Sequence, residues 1–117
     1  MPGIEHQRYT PFALSVTQSH GKLTLVVVGE LDLESAEKLK HDVTELRPAG
    51  TTEIVLDLRQ LDFIDSSGLR ALLALRDESR GNGNALTLIP PAPTVRRVFE
   101  ITGTSDLFEW RDDRAKP

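Results

Sequence analysis

The chain contains no cysteine, so no disulfide can staple it and no thiolate can hold a metal. It also lacks any apolar run near the roughly 18 residues that a membrane span requires, and residues 1–10 are too polar for a secretory signal. From these absences we expect a soluble, cytoplasmic protein with no membrane partner. Clustered positive charge is missing as well. Arg96-Arg97 is the one adjacent basic pair in a chain of formal net charge -4, which argues against DNA or RNA as a direct partner. His6, His20 and His41 stand apart from one another and from paired carboxylates at ligand spacing, so neither a metal site nor a bound cofactor is expected.

What is present is enough for one core: 117 residues can bury it without metal or disulfide help. Residues 12–16 alternate as a half-buried strand, and Gln18, Ser19, His20 and Gly21 read as a turn into a second strand over residues 22–28. That strand begins alternating and ends continuously apolar, as expected where its later half is covered on both faces, and Gly29-Glu30-Leu31-Asp32 reads as its stop. From Ser35 the residues Ala36, Leu39, Val43 and Leu46 share a helical stripe until Pro48-Ala49-Gly50. A third strand covers residues 53–58. A second helix then runs from the Asp65-Ser66-Ser67-Gly68 turn toward Arg80, with Leu69, Leu72 and Leu73 at helical spacing and Arg76 expected to snorkel from its apolar stripe. Residues 85–89 supply another strand, Val95, Val98 and Phe99 a third helix, and residues 107–110 a short edge strand.

This order predicts an α/β fold in one domain over residues 12–110: an opening hairpin and parallel crossovers, giving a mixed four- to five-stranded sheet with amphipathic helices packed on it. Residues 1–11 form an N-terminal extension and residues 111–117 a frayed tail. Sites in open sheets lie beyond the carboxyl ends of the strands, so residues 29–32 and 62–68 are expected at one edge.

The segment Leu61-Asp62-Phe63-Ile64-Asp65-Ser66-Ser67-Gly68-Leu69 places two hydroxyls between an apolar strand and an apolar helix. Asp65 or Ser66 is the natural N-cap. Unpaired N–H groups and the positive dipole end of a helix start favour negative charge, so a phosphoryl group on Ser66 would be tolerated there. The alternative is that Asp65 and the serines only cap the helix. Enzymatic readings gain little. Ser66 lacks the preceding glycine of a nucleophile elbow and no strand end offers a histidine base. Gly81-Asn82-Gly83 lacks the later glycine or Gly-Lys-Ser/Thr of a phosphate-cradling loop. Asp62 and Asp65 suit turn formation and capping better than acid/base chemistry. Residues 54–57 resemble the strand carrying the phosphoacceptor aspartate of response-regulator receivers. The acidic pair and suitably placed lysine of receivers are missing, with lysines only at Lys22, Lys38, Lys40 and Lys116, so Asp57 reads as a strand-end residue.

Gly29-Glu30-Leu31-Asp32 before the first helix and Leu61-Asp62-Phe63-Ile64-Asp65-Ser66-Ser67-Gly68-Leu69 before the second together resemble the STAS domain of bacterial anti-sigma-factor antagonists. Val95-Arg96-Arg97-Val98-Phe99-Glu100-Ile101-Thr102-Gly103 is similar to the family too. The resemblance implies that Ser66, directly after the aspartate, is the phosphorylation site, with Ser67 the lesser candidate. It implies a cycle in which the unmodified protein binds an anti-sigma factor with serine kinase activity and releases sigma factor. Phosphorylation breaks that complex, and a PP2C-type serine phosphatase resets it. The expected partner surface comprises Glu30, Leu31, Asp32, Leu33, Asp62, Asp65, Ser66, Ser67, Gly68, Leu69 and Arg70, with Gly68 leaving room for a partner backbone. The competing expectation is a non-switching STAS scaffold subunit of a stress-signalling or lipid-transport complex, in which Ser66 is only a cap.

Overall fold

Apolar residues at every second position orient the longest strand. Along β2 (Lys22–Leu31), Leu23, Leu25, Val27 and Leu31 are buried while Thr24, Val26, Val28 and Glu30 on the other face are half-buried, the period of a pleated strand. The computed structural model describes residues 11–111. The expected extension and tail, apart from Pro11 and Arg111, lie outside the described residues. β1 (Ala13–Ser19) pairs antiparallel with β2 across a two-residue turn, His20-Gly21, with φ of 50° and 79°. Positive φ at both positions is the mirror-image turn that matches the twist of a hairpin.

β3 (Glu53–Asp57) lies between β2 and β5 (Ala85–Ile89) and parallel to both, and Ile54, Val55 and Leu56 are fully buried. Cover on both faces is why this segment reads as an unbroken apolar run. Three helices complete the described structure: α1 (Leu33–Leu46), α2 (Ser66–Gly81) and α3 (Pro93–Ile101). Leu39 and Val43 of α1, Leu69, Leu72 and Leu75 of α2, and Val95 and Phe99 of α3 join Leu23, Leu25, Ile54 and Leu56 in one core. Each such side chain contributes about 1.5–3 kcal/mol when fully buried. β6 (Glu109–Trp110) runs parallel to β5 after a single 3-10 turn at Ser105–Leu107. Phe99 meets Phe108 and Trp110 edge-on at centroid distances of 5.8 and 5.2 Å, and the Arg96 guanidinium lies 4.7 Å over Trp110. These contacts pin the two-residue strand, each aromatic pair adding about 0.5–1.5 kcal/mol. Arg76 snorkels as expected, its guanidinium 3.1 Å from Asp77.

The sheet holds six strands among the described residues, and the additional one positions the site. β4 (Leu61–Ile64) pairs parallel with the end of β2 rather than with β3. Nor does Gly29 stop β2. It adopts φ 98° at a register shift between Gly29 and Glu30, and its N–H donates to the Gln60 carbonyl at 3.2 Å. Only glycine enters that region without strain, so Gly29 is a bulge that takes β2 from its last β3 partner, Asp57, to β4.

Candidate functional site

β2 and β4 end side by side, Leu31 opposite Ile64, and each runs straight into a helix. Asp32 and Asp65 therefore occupy matching N-cap positions, and Leu33 and Ser66 are the first residues of α1 and α2, which pack on each other. The two loops expected at one edge are joined by a hydrogen bond, Asp65 N–H to the Leu31 carbonyl at 3.3 Å.

At the first start, Asp32 Oδ1 accepts the Ser35 N–H at 3.1 Å while the Asp32 N–H donates to Ser35 Oγ at 2.9 Å, a reciprocal capping box. The buried Ser35 hydroxyl donates to the Glu30 carbonyl at 2.7 Å. The Ser35 backbone N–H, then its hydroxyl, hold the Asp32 carboxyl below its ordinary range. At the second start, Asp65 Oδ1 accepts the Gly68 N–H at 3.0 Å and the Asp65 carbonyl accepts the Leu69 N–H at 3.0 Å. Asp65, not Ser66, is thus the cap. The Ser66 hydroxyl is exposed at the first helical position, and among the described residues it has no hydrogen-bond partner. Ser67 is half-buried.

The sequence-expected partner residues divide by depth. Glu30, Asp32, Leu33, Asp62, Asp65, Ser66, Ser67 and Arg70 reach the surface, with Leu33 67% exposed. Leu31, Gly68 and Leu69 are buried. The space left by the missing Gly68 side chain is taken inside the domain: a Cβ there would lie 2.5 Å from the Leu31 carbonyl oxygen and 2.7 Å from Ile64 Cγ1. Gly68 lets α2 press onto the end of β2 and β4, so the physical reason for glycine is internal packing rather than a partner backbone. Ser35 and Ile64 are structural members of the site that the sequence reading passed over. The Asp-x-x-Ser spacing from Asp32 was the available signal for Ser35.

Asp57 is a strand-end residue, as expected, and it is buried, with Arg59 Nε and a terminal nitrogen on its two oxygens at 2.9 and 2.7 Å. Among the described residues no group of three or more His, Asp or Glu is arranged to hold a metal ion, and no helix is long and apolar enough to cross a membrane. The arrangement offers the exposed Ser66 hydroxyl at a helix start preceded by Asp62 and Asp65.

Comparison with known proteins finds relatives by family model, by sequence and by structure. The family model of the STAS domain matches residues 13–116. BtrV of Bordetella bronchiseptica, which carries an anti-sigma factor antagonist designation, is 33% identical over 101 residues, covering 86% of this chain and 87% of BtrV. The anti-sigma-B factor antagonist of Staphylococcus aureus is 32% identical over 82 residues, 70% of this chain and 76% of that protein. Among solved structures, the anti-sigma factor antagonist SpoIIAA in its unphosphorylated form superposes with a TM-score of 0.71 at 25% identity, covering 87% of this chain and 90% of SpoIIAA. SpoIIAA of Bacillus in its phosphorylated form shares the fold at a TM-score of 0.65 and 24% identity, covering 87% of this chain and 94% of that one.

Proposed function

This chain belongs to the STAS domain family and to its anti-sigma-factor antagonists, and from that premise we propose that it is a partner switch controlled by phosphorylation of Ser66. In the cytoplasm the unmodified protein binds an anti-sigma factor with serine kinase activity, sigma factor is released, and transcription rises. The same partner then transfers phosphate from ATP to Ser66 and the complex ends. A PP2C-type serine phosphatase restores the hydroxyl. ATP and metal belong to those partners, and this chain is substrate and switch rather than catalyst.

The observation that carries the reading is the unemployed Ser66 hydroxyl. Asp65 already caps α2 and Gly68 already closes the packing, so the fold does not depend on Ser66, which stands exposed at a position tolerant of phosphate. That SpoIIAA is known in both phosphorylation states supports control by phosphorylation as such. A phosphoryl group adds about -1.5 to -2 charge beside Asp62 and Asp65, in a surface that a partner must desolvate. Glu30, Asp32, Leu33, Asp62, Asp65, Ser67 and Arg70 are the surrounding partner contacts in this reading.

The test is incubation with a panel of purified bacterial anti-sigma-factor serine kinases and ATP, followed by site-mapped mass spectrometry. Phosphate is expected on Ser66 and absent from Ser66→Ala. Full incorporation into that variant, or mapping to Ser67, would overturn the assignment, and no incorporation by any kinase would favour a non-switching scaffold.

A further inference from the structure

Resting on the partner-switch reading, we propose that Leu33 is the apolar anchor of the partner contact. It enters an apolar socket rimmed by Lys or Arg on the anti-sigma factor, and phosphorylation of Ser66 acts mainly by unseating it. Leu33 is 67% exposed, and the fold makes no use of its side chain. Asp32 and Ser35 complete the start of α1, and Ala36, Leu39 and Val43 supply its buried face. A leucine so placed costs solvation in the monomer and gains it back only against another surface.

The surroundings state what that surface carries. An open groove of about 530 Å³ is lined by Asp32, Leu33, Glu34, Glu37 and Asp65: one apolar side chain among four carboxylates, with no cation in the lining. Lys40 reaches Glu37 at 3.5 Å. Asp32 and Asp65 each spend one oxygen on a helix cap, and none of the three carboxylates of Asp32, Glu34 and Asp65 has a basic side chain in an ion pair with it among the described residues. An apolar centre inside an acidic rim is complementary to an apolar pocket inside a basic one. The site is rigid enough for such a fit, because the Asp65 N–H bond to the Leu31 carbonyl ties the two helix starts together.

The same geometry links the anchor to the switch. Leu33 and Ser66 hold the same first position on two packed helices, whose axes in general lie about 8–10 Å apart. A phosphate on Ser66, the residue next to Asp65 of the groove lining, therefore stands beside the anchor and inside its footprint. Desolvating a dianion there, with the partner's cations already engaged by the acidic rim, is unfavourable, so the partner is held off Leu33.

Calorimetric titration against the anti-sigma factor that binds the wild-type chain most tightly in a purified panel tests this. Leu33→Ala is expected to weaken binding by about 30-fold or more, the scale of an interface hot spot, with an unchanged thermal midpoint. Leu33→Met retains most of the affinity, and raising salt slows association. Ile101→Ala, which trims an even more exposed apolar residue (75%) at the far end of α3, leaves binding unchanged. In the wild-type background Ser66→Asp costs about 30-fold or more, and in the Leu33→Ala background under about 5-fold, because coupled residues are non-additive. Leu33→Ala binding within about threefold of wild type would overturn the anchor while leaving the partner switch standing. Losses that simply multiply would overturn its link to Ser66. No binding of wild type to any anti-sigma factor would overturn the functional reading and this inference with it.

Discussion

The two helix starts at the sheet edge are built on one plan and are held together in different ways. Each follows a parallel strand, each is capped by an aspartate, and they diverge at the third helical residue, which is Ser35 in α1 and Gly68 in α2. In α1 a side chain fills that position and bonds to Asp32 and to the Glu30 carbonyl. In α2 any side chain would strike the Leu31 carbonyl. The first start is held by a polar network, the second by close packing, and the packed one leaves its first residue, Ser66, unbound and exposed. A modifiable hydroxyl is thus seated where its modification costs the fold least.

This contrast can be broken by substitution, and the largest effect is expected at the packed start. Gly68→Ala forces a Cβ against backbone, so a loss of about 3 kcal/mol is expected in urea unfolding. A loss under about 0.5 kcal/mol would mean that α2 lifts off without strain. Ser35→Ala removes the network of the other start and leaves the Glu30 carbonyl and Asp32 N–H short of a partner, for about 1–2 kcal/mol.

Acid titration sharpens the same comparison. The Asp32 carboxyl is depressed by the Ser35 N–H and hydroxyl, so ionised Asp32 contributes stability above its unfolded value, near 3.8, and loses it as pH falls through the lower folded value. The stability gap between wild type and Asp32→Asn is expected to be full above that range and to close below it. A gap independent of pH would remove the network from the account. The smallest effect belongs to Ser66→Ala, under about 0.5 kcal/mol, because no bond is lost. A cost on the scale of a lost cap, about 1 kcal/mol, would mean that Ser66 rather than Asp65 closes the helix.

The fold was legible wherever burial imposes a period. Leu23, Leu25 and Val27 announce β2 by alternation, Ile54 to Leu56 announce β3 by continuity, and the stripe through Leu39 and Val43 announces α1. β4 was not legible. It is four residues long with Asp62 and Phe63 exposed at its centre, too short and too polar for a period to show. Gly29 read as a stop because glycine in a sequence does not reveal whether the chain turns or bulges, and here it bulges at φ 98°. At the site, the residue identities were legible but their depth was not. Whether Gly68 faces a partner or Leu31 depends on β2 and β4 pairing, a contact remote in sequence. The same pairing buries Leu31 and exposes Leu33.

The central claim, that phosphate on Ser66 switches a preformed surface, is tested most directly by titrating one anti-sigma factor with the unmodified chain and with the chain phosphorylated at Ser66. The phosphorylated form is expected to bind at least about 30-fold more weakly, as a charge left in a desolvated contact requires. Equal affinities for the two forms would contradict the account.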